Sequence, residues 1–164
     1  MDLEQRELIL SILSRADTLT VATVREDGWP QATVVSFVND DLDLYFGTTF
    51  HSQKLENIAR DSRVSATVTP EHETSKPIQA ISLAAVAQRV TDPGELLNVA
   101  GLVLKKFPRP GPPAPAGVLE GVAVVRLRPT IVSLLDYSRS FGQTDLIELG
   151  DRQASPDHRD ERLP

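Results

Sequence analysis

Residues 47 to 58, GTTFHSQKLENI, gather two threonines, a histidine, a serine and a lysine where a strand-like pattern gives way to a helix-like one. A helix N-terminus carries unpaired N–H groups and a partial positive charge, which together suit an anion. If Ser52 starts the helix, the backbone N–H groups of Gln53, Lys54 and Leu55 point out of its first turn. A phosphate placed there would receive those bonds, the Ser52 hydroxyl and a charge-assisted contact from Lys54. Thr48 and Thr49, at the end of the strand, would supply further hydroxyls. The residues alone leave two readings open, an anion site or a plain serine cap. A cation in the first turn opposes the helix dipole unless an anion sits nearby, and a plain cap leaves that feature unexplained.

Other chemistry-bearing residues are sparse. His51, in the same loop, is a candidate proton donor, or simply a solvated loop histidine. Trp29 lies in the turn DGWP, where an exposed indole marks an interface or a ligand lip, or else folds over a barrel end. In the strand-like run QATVVSFV (31–38), Gln31, Thr33, Val35 and Phe37 share one face and Ala32, Val34, Ser36 and Val38 the other. Neither face is cleanly apolar. The chain has no cysteine, which excludes disulfides, thiolate metal sites and thiol catalysis. Its three histidines, His51, His72 and His158, are far apart and show no metal-ligand spacing. No side chain stands out as an acid–base catalyst.

The composition bounds the rest. A length of 164 residues predicts one domain with a sizeable core, and 40% hydrophobic with 24% charged residues is the balance of a soluble protein. A net charge of -6 argues against wrapping nucleic acid or lying on anionic lipid, and it leaves room for one phosphorylated small ligand. No apolar run approaches membrane-spanning length, and the first residues lack a basic-then-apolar leader. The expectation is therefore a cytoplasmic protein without nucleic-acid or membrane partners.

Several elements must position the loop. LEQRELILSILSRAD predicts an amphipathic helix over 3–15, with Leu8, Ile9, Ile12 and Leu13 on one face. Strands follow at 18–26, 31–38 and 42–47, joined by the short turns DGWP and NDDLD, so they must pair antiparallel. A short helix over 52–60 buries Leu55, Ile58 and Ala59. Strands at 63–70 and 78–91 come next, the second long and alanine-rich enough to predict a bulge or bend within it. DPGE opens a helix over 93–106, with Asp92 as cap, Pro93 in the first turn and Glu95 reaching back. Its expected buried stripe is Leu96, Val99, Ala100, Val103 and Leu104. The proline-rich stretch 107–117 reads as a mobile surface loop. Residues 121–138 read as two strand-like runs around Pro129, 144–149 as a last short strand, and 150–164 as a disordered tail. There is no internal repeat. The sum is a single domain over 1–149, mainly β: an antiparallel six- or seven-stranded barrel with helical decoration.

In this order the motifs resemble the pyridoxamine 5′-phosphate oxidase-like FMN-binding split barrels. TLTVATVREDGWPQATVVSF is similar to the family's opening hairpin, whose Gly-x-Pro turn leads into the strand facing the flavin. LYFGTTFHSQKLENIARDSRVSATV is similar to its strand, phosphate loop, Ser-x-Lys and short helix. ISLAAVAQRVTDP resembles the long strand before the next helix, and VVRLRPTIVSLLDYSRSFG the closing strands. Together these cover roughly residues 5 to 149.

The resemblance implies a split β-barrel that binds FMN, or alternatively a deazaflavin, in a homodimer with the flavin at the subunit interface. It implies that the backbone of Thr33, Val34, Val35 and Ser36 borders the isoalloxazine ring. Thr48, Thr49, Ser52, Gln53 and Lys54 would hold the phosphate. Tyr137, Arg139 and Gln143 fall where the second subunit reaches the flavin. True oxidases of the family carry Arg where Thr33 stands and close with an Arg and a His, whereas YSRSFGQTD has no His. The implied protein is thus not a true pyridoxamine phosphate oxidase. It is an FMN-dependent oxidoreductase acting on a small molecule, or a non-catalytic flavin or deazaflavin carrier or sensor. A haem-handling split barrel is a third option, for which the chain offers no clustered His and no Cys.

Overall fold

The computed structural model describes residues 1–71, 77–108, 121–138 and 144–150. Helix α1 (Leu3–Arg15) starts at Asp2, whose carboxylate accepts the Gln5 N–H while the Gln5 side chain accepts the Asp2 N–H. That reciprocal pair satisfies two of the donors a helix start leaves open. Its buried residues are Ile9, Ile12 and Leu13, from the expected face. The strands are β1 (Thr18–Val24), β2 (Pro30–Asp40), β3 (Asp43–Thr49), β4 (Arg63–Val68), β5 (Gln79–Arg89), β6 (Val122–Asp136) and β7 (Thr144–Glu148). Helices α2 (Gln53–Arg60) and α3 (Pro93–Lys106) interrupt them.

The strands lie in the order β3-β2-β1-β4-β5-β6, closed into a barrel by β3 pairing with β6, and β7 adds to β6 as a seventh strand. Every pairing is antiparallel. The interior is filled by the inward positions of each strand, among them Val21, Phe37, Leu44, Val68, Val125 and Leu127.

Two departures from the expected strands have one cause. Residues 122–136 form a single strand running through Pro129, and the extra residue lies on β6 and not within β5. Ala84 pairs with Ile131 and Ala85 with Pro129, which leaves Thr130 unmatched. Inward positions are odd-numbered up to Pro129 and even-numbered from Val132, as one inserted residue requires. Proline lacks the N–H that a regular ladder would use, and a bulge accommodates it. The Thr130 hydroxyl donates to the Ala84 carbonyl at 3.2 Å.

Helix α3 is rotated from its expected face. Val99 is buried and Leu96 and Leu102 pack beside it, against Val38, Tyr45 and Val90 outside the barrel. Leu104 is 66% exposed and Val103 lies partly open. Asp92 caps the helix as expected, accepting the Glu95 N–H at 2.7 Å. The Glu95 carboxylate does not reach back. It accepts from the Tyr45 hydroxyl at 3.1 Å and from Arg126 at 2.9 Å, two donors that the barrel wall presents to it.

The ladder between β2 and β3 is short. Strand β2 pairs with β1 from Pro30 to Ser36, yet its pairing with β3 covers only Phe37–Asp40 against Asp43–Phe46. Beyond that point the two strands part, while β3 keeps the pairing with β6 that runs from Leu44 to Thr49. The Phe37 N–H donates to the Asp17 carbonyl, so the odd-numbered residues of β2 bond toward β1. The N–H and C=O groups of Ala32, Val34 and Ser36 therefore face the gap. By the same parity the Phe50 N–H, bonded to Gly121, leaves the main-chain groups of Gly47 and Thr49 on the gap side of β3. No helix among the described residues is long and apolar enough to cross a membrane.

Candidate functional site

Helix α2 sits at the end of the barrel where β2 and β3 diverge, packed against β1, β3 and β5. Ser52 is its N-cap, with extended φ and ψ, so the helix proper begins at Gln53. The Ser52 Oγ accepts the Leu55 N–H at 3.2 Å and the Thr48 hydroxyl at 2.9 Å. The Leu55 N–H, expected to point at a ligand, is thus already taken. The N–H groups of Gln53 and Lys54 are the first-turn donors without an acceptor among the described residues. The Thr49 carbonyl accepts the Ser52 N–H at 3.1 Å, folding the loop tightly into the helix.

Lys54 is half-buried, not the fully solvated first-turn lysine that its position predicts. Its ammonium lies 5.8 Å from the centre of the Phe46 ring, and no carboxylate pairs with it among the described residues. Burial lowers its pKa from the ordinary lysine value. A half-desolvated lysine shares its helix turn with a serine hydroxyl and two N–H groups that have no acceptor among the described residues, an arrangement that an incoming anion completes.

The gap side of the site is main chain. Thr33 and Val35 direct their side chains inward, half-buried, while Val34 and Ser36 point outward. The Thr33 Oγ1 is buried and has no hydrogen-bond partner among the described residues. Such a hydroxyl is a polar group waiting for an acceptor or donor. The edge at Ala32, Val34 and Ser36, unpaired among the described residues, offers alternating donors and acceptors, the pattern that a flat heterocycle with ring N–H and carbonyl groups matches.

The remaining candidate residues divide. His51 is exposed. Trp29 is 71% exposed, in the turn where Gly28 takes a φ of +84° and Asp27 accepts the Trp29 N–H. Tyr137 holds its main chain to Ile78 at 3.0 Å, at the end of the barrel away from α2. Arg139 and Gln143 lie outside the described residues, as do most of the proline-rich stretch and residues 151–164. Among the described residues no three His, Cys, Asp or Glu side chains lie together where they could hold a metal ion.

Sequence reasoning missed Asn57. Helical spacing points to Leu55, Ile58 and Ala59 as the inward stripe, yet Ala59 is exposed and Asn57 is 0% exposed. The Asn57 amide donates to the Thr23 hydroxyl at 2.9 Å and to the Gln31 side-chain Oε1 at 3.2 Å, and its oxygen accepts from the Gln53 side chain at 3.1 Å. No local signal marks it, because the partners that admit its amide, Thr23 and Gln31, come from strands distant in sequence.

The sequence model of the pyridoxamine 5'-phosphate oxidase family matches residues 6–133. The chain belongs to that family, and its fold is the split barrel. No curated protein matches the chain. Among solved structures, it is similar to the conserved hypothetical protein Rv2991 from Mycobacterium tuberculosis at 24% identity and a TM-score of 0.69, over 84% of this chain and 86% of that one. It is similar to a heme binding protein from Mycobacterium smegmatis at 20% identity and a TM-score of 0.71, over 90% of this chain and 59% of that one. The heme storage protein HutZ from Vibrio cholerae matches at 22% identity and a TM-score of 0.59, over 79% and 91%. At these identities the likeness is one of fold.

Proposed function

We propose that the protein is an FMN-binding flavoprotein of the cytoplasm, acting as an oxidoreductase on a small molecule. The observation that carries this reading is the half-buried Lys54, with no carboxylate partner among the described residues, at an α2 start whose first two N–H groups have no acceptor among them, near the edge of β2 that β3 leaves open. Those two features match the two ends of FMN, a dianionic phosphate and a flat ring with polar edges. Thr49, Ser52, Gln53 and Lys54 would hold the phosphate, with Thr48 acting through its hydrogen bond to Ser52, and the main chain from Thr33 to Ser36 would border the ring, with Arg139 as a further contact. When bound, the flavin supplies the electron transfer; the chain binds it and orients it.

The flavin site is read as shared between two copies. The outward face of the sheet runs in two cross-strand rows, Val34–Thr20–Thr67–Ser82 and Ala32–Ala22–Ser65–Ala84. No charge falls in either row, and Val34 is 67% exposed. A flat, small-residue, uncharged face of this kind suits a second copy of itself related by a two-fold axis. It borders the β2 edge that the ring would use.

A second reading has the same site hold a flavin or deazaflavin without catalysis. Thr33 favours it, because a threonine supplies no charge beside the ring where the family's true oxidases place an arginine. The visible absorbance spectrum of the purified protein tests the cofactor: flavin bands support the proposal, and a deazaflavin or haem spectrum replaces it. Anaerobic bleaching of the flavin by a reduced nicotinamide then separates an oxidoreductase from a carrier.

A further inference from the structure

We propose that Asn57 is the positioning residue of the anion site, locking the start of α2 in register with the open edge of β2. The inference rests on the reading of that site as a phosphate site. A buried carboxamide is costly unless bonded, and this one is bonded on both of its ends. Its partners come from β1 through Thr23 and from β2 through Gln31, so the amide ties α2 to the strand that carries the free edge. The apolar anchor Ile58 does not do this alone, because hydrophobic contact is non-directional and tolerates sliding and rotation. A hydrogen-bonded buried network instead specifies one arrangement.

An eight-residue helix has little else to hold its direction. One ligand must meet both the α2 N–H groups and the β2 main chain, so the offset between the two elements decides whether it fits. The same network also assigns Gln53 its role. The Gln53 amide is directed to Asn57 and to Glu56, so this residue meets the anion through its backbone N–H and not its side chain.

The test is a set of FMN and riboflavin titrations on the full chain, comparing wild type with Asn57→Ala, Lys54→Ala and the double variant. Asn57→Ala is expected to weaken FMN by about tenfold and riboflavin by less than about twofold, since riboflavin uses only the β2 edge. The double variant is expected to lose less FMN affinity than the product of the two single losses, because Lys54 is one of the contacts that Asn57 places. Equal losses for both ligands, or additive losses in the double variant, overturn the proposal. Should Asn57→Ala fail to fold, Thr23→Val removes one acceptor with little change of shape. It is expected to weaken FMN by roughly threefold and to spare riboflavin, and equal or absent losses again overturn the proposal. A wild type that binds FMN no better than riboflavin sinks the phosphate reading and this inference with it. A wild-type preference for FMN that survives the Asn57 and Thr23 changes sinks this inference alone.

Discussion

The Thr48 hydroxyl donates to the Ser52 Oγ across 2.9 Å, and that oxygen also accepts the Leu55 N–H. Both lone pairs of Ser52 are thereby used, and its own proton is left to point away from the helix. A serine that serves only as a cap needs one of those bonds. With its acceptor capacity filled by Thr48, Ser52 becomes a donor aimed out of the first turn, beside the N–H groups of Gln53 and Lys54.

Ser52→Ala should therefore cost in two separable ways. Loss of the cap should lower the stability of the ligand-free protein by about 1 kcal/mol, read from chemical denaturation. Loss of the hydroxyl donor should weaken FMN by more than riboflavin. Unchanged FMN affinity alongside the lost stability would make Ser52 a cap alone.

Lys54→Ala should weaken FMN binding by about 1.5–3 kcal/mol, the range for a hydrogen bond to a charged group. That is roughly a tenfold to hundredfold loss of affinity. Riboflavin, without the phosphate, should be affected far less. The fold should survive, because alanine is a good helix former and Lys54 makes no ion pair among the described residues. Equal weakening of both ligands would remove the phosphate from this loop.

FMN affinity should fall as pH rises. Burial lowers the Lys54 pKa, so its charge is lost at a pH below that of an ordinary lysine. The phosphate favours the charged form, so binding takes up a proton where free Lys54 is neutral, and affinity declines as pH climbs through that range. Isothermal titration in two buffers of different ionisation enthalpy would show the uptake. Its persistence in Lys54→Ala would assign the proton to another group.

Sedimentation at micromolar concentration should show a dimer. Val34→Glu, on the outward face of β2, should shift it to monomer while its circular dichroism spectrum still shows the folded chain. A dimer that tolerates a carboxylate there uses a different face.

Tyr45 predicts an alkaline transition. Its pKa is pushed up to about 12 by burial first, then by the charge of Glu95 and the hydrogen bond to it. Between pH 10 and 12 the unfolded chain gives up this proton and the folded one keeps it. Stability is therefore whole below pH 10 and falls as pH rises toward 12. Tyr45→Phe should lose about 1.5 kcal/mol at neutral pH, for the bond to a charged acceptor, and should lack this part of the alkaline decline. Denaturant midpoints at pH 8 and pH 11 for both proteins would check it.

Much of this molecule was legible in its residues. The strand-like runs read at 18–26, 63–70 and 78–91 lie where β1, β4 and β5 form, and the short turns between the first three strands dictate antiparallel pairing, because each strand's alternation is set locally by side chains on opposite faces. Asp92 and Ser52 mark their helix starts for the same reason: a cap is a bond between residues three apart. The grouping of Ser52, Lys54 and Thr48 is likewise local, and the structure keeps it together. What tertiary structure alone decided is everything that depends on partners distant in sequence. The extra residue at Thr130 follows from how β6 meets β5 around Pro129. The face that α3 buries was set by Val38, Tyr45 and Val90, not by its own periodicity. The open edge of β2 exists because β3 parts from it after Phe46 while staying paired with β6. Asn57 could be seen as buried only once Thr23 and Gln31, 34 and 26 residues away, stood across from it. A polar side chain enters a core when its hydrogen bonds are met there, and the chain's own neighbours do not carry that information.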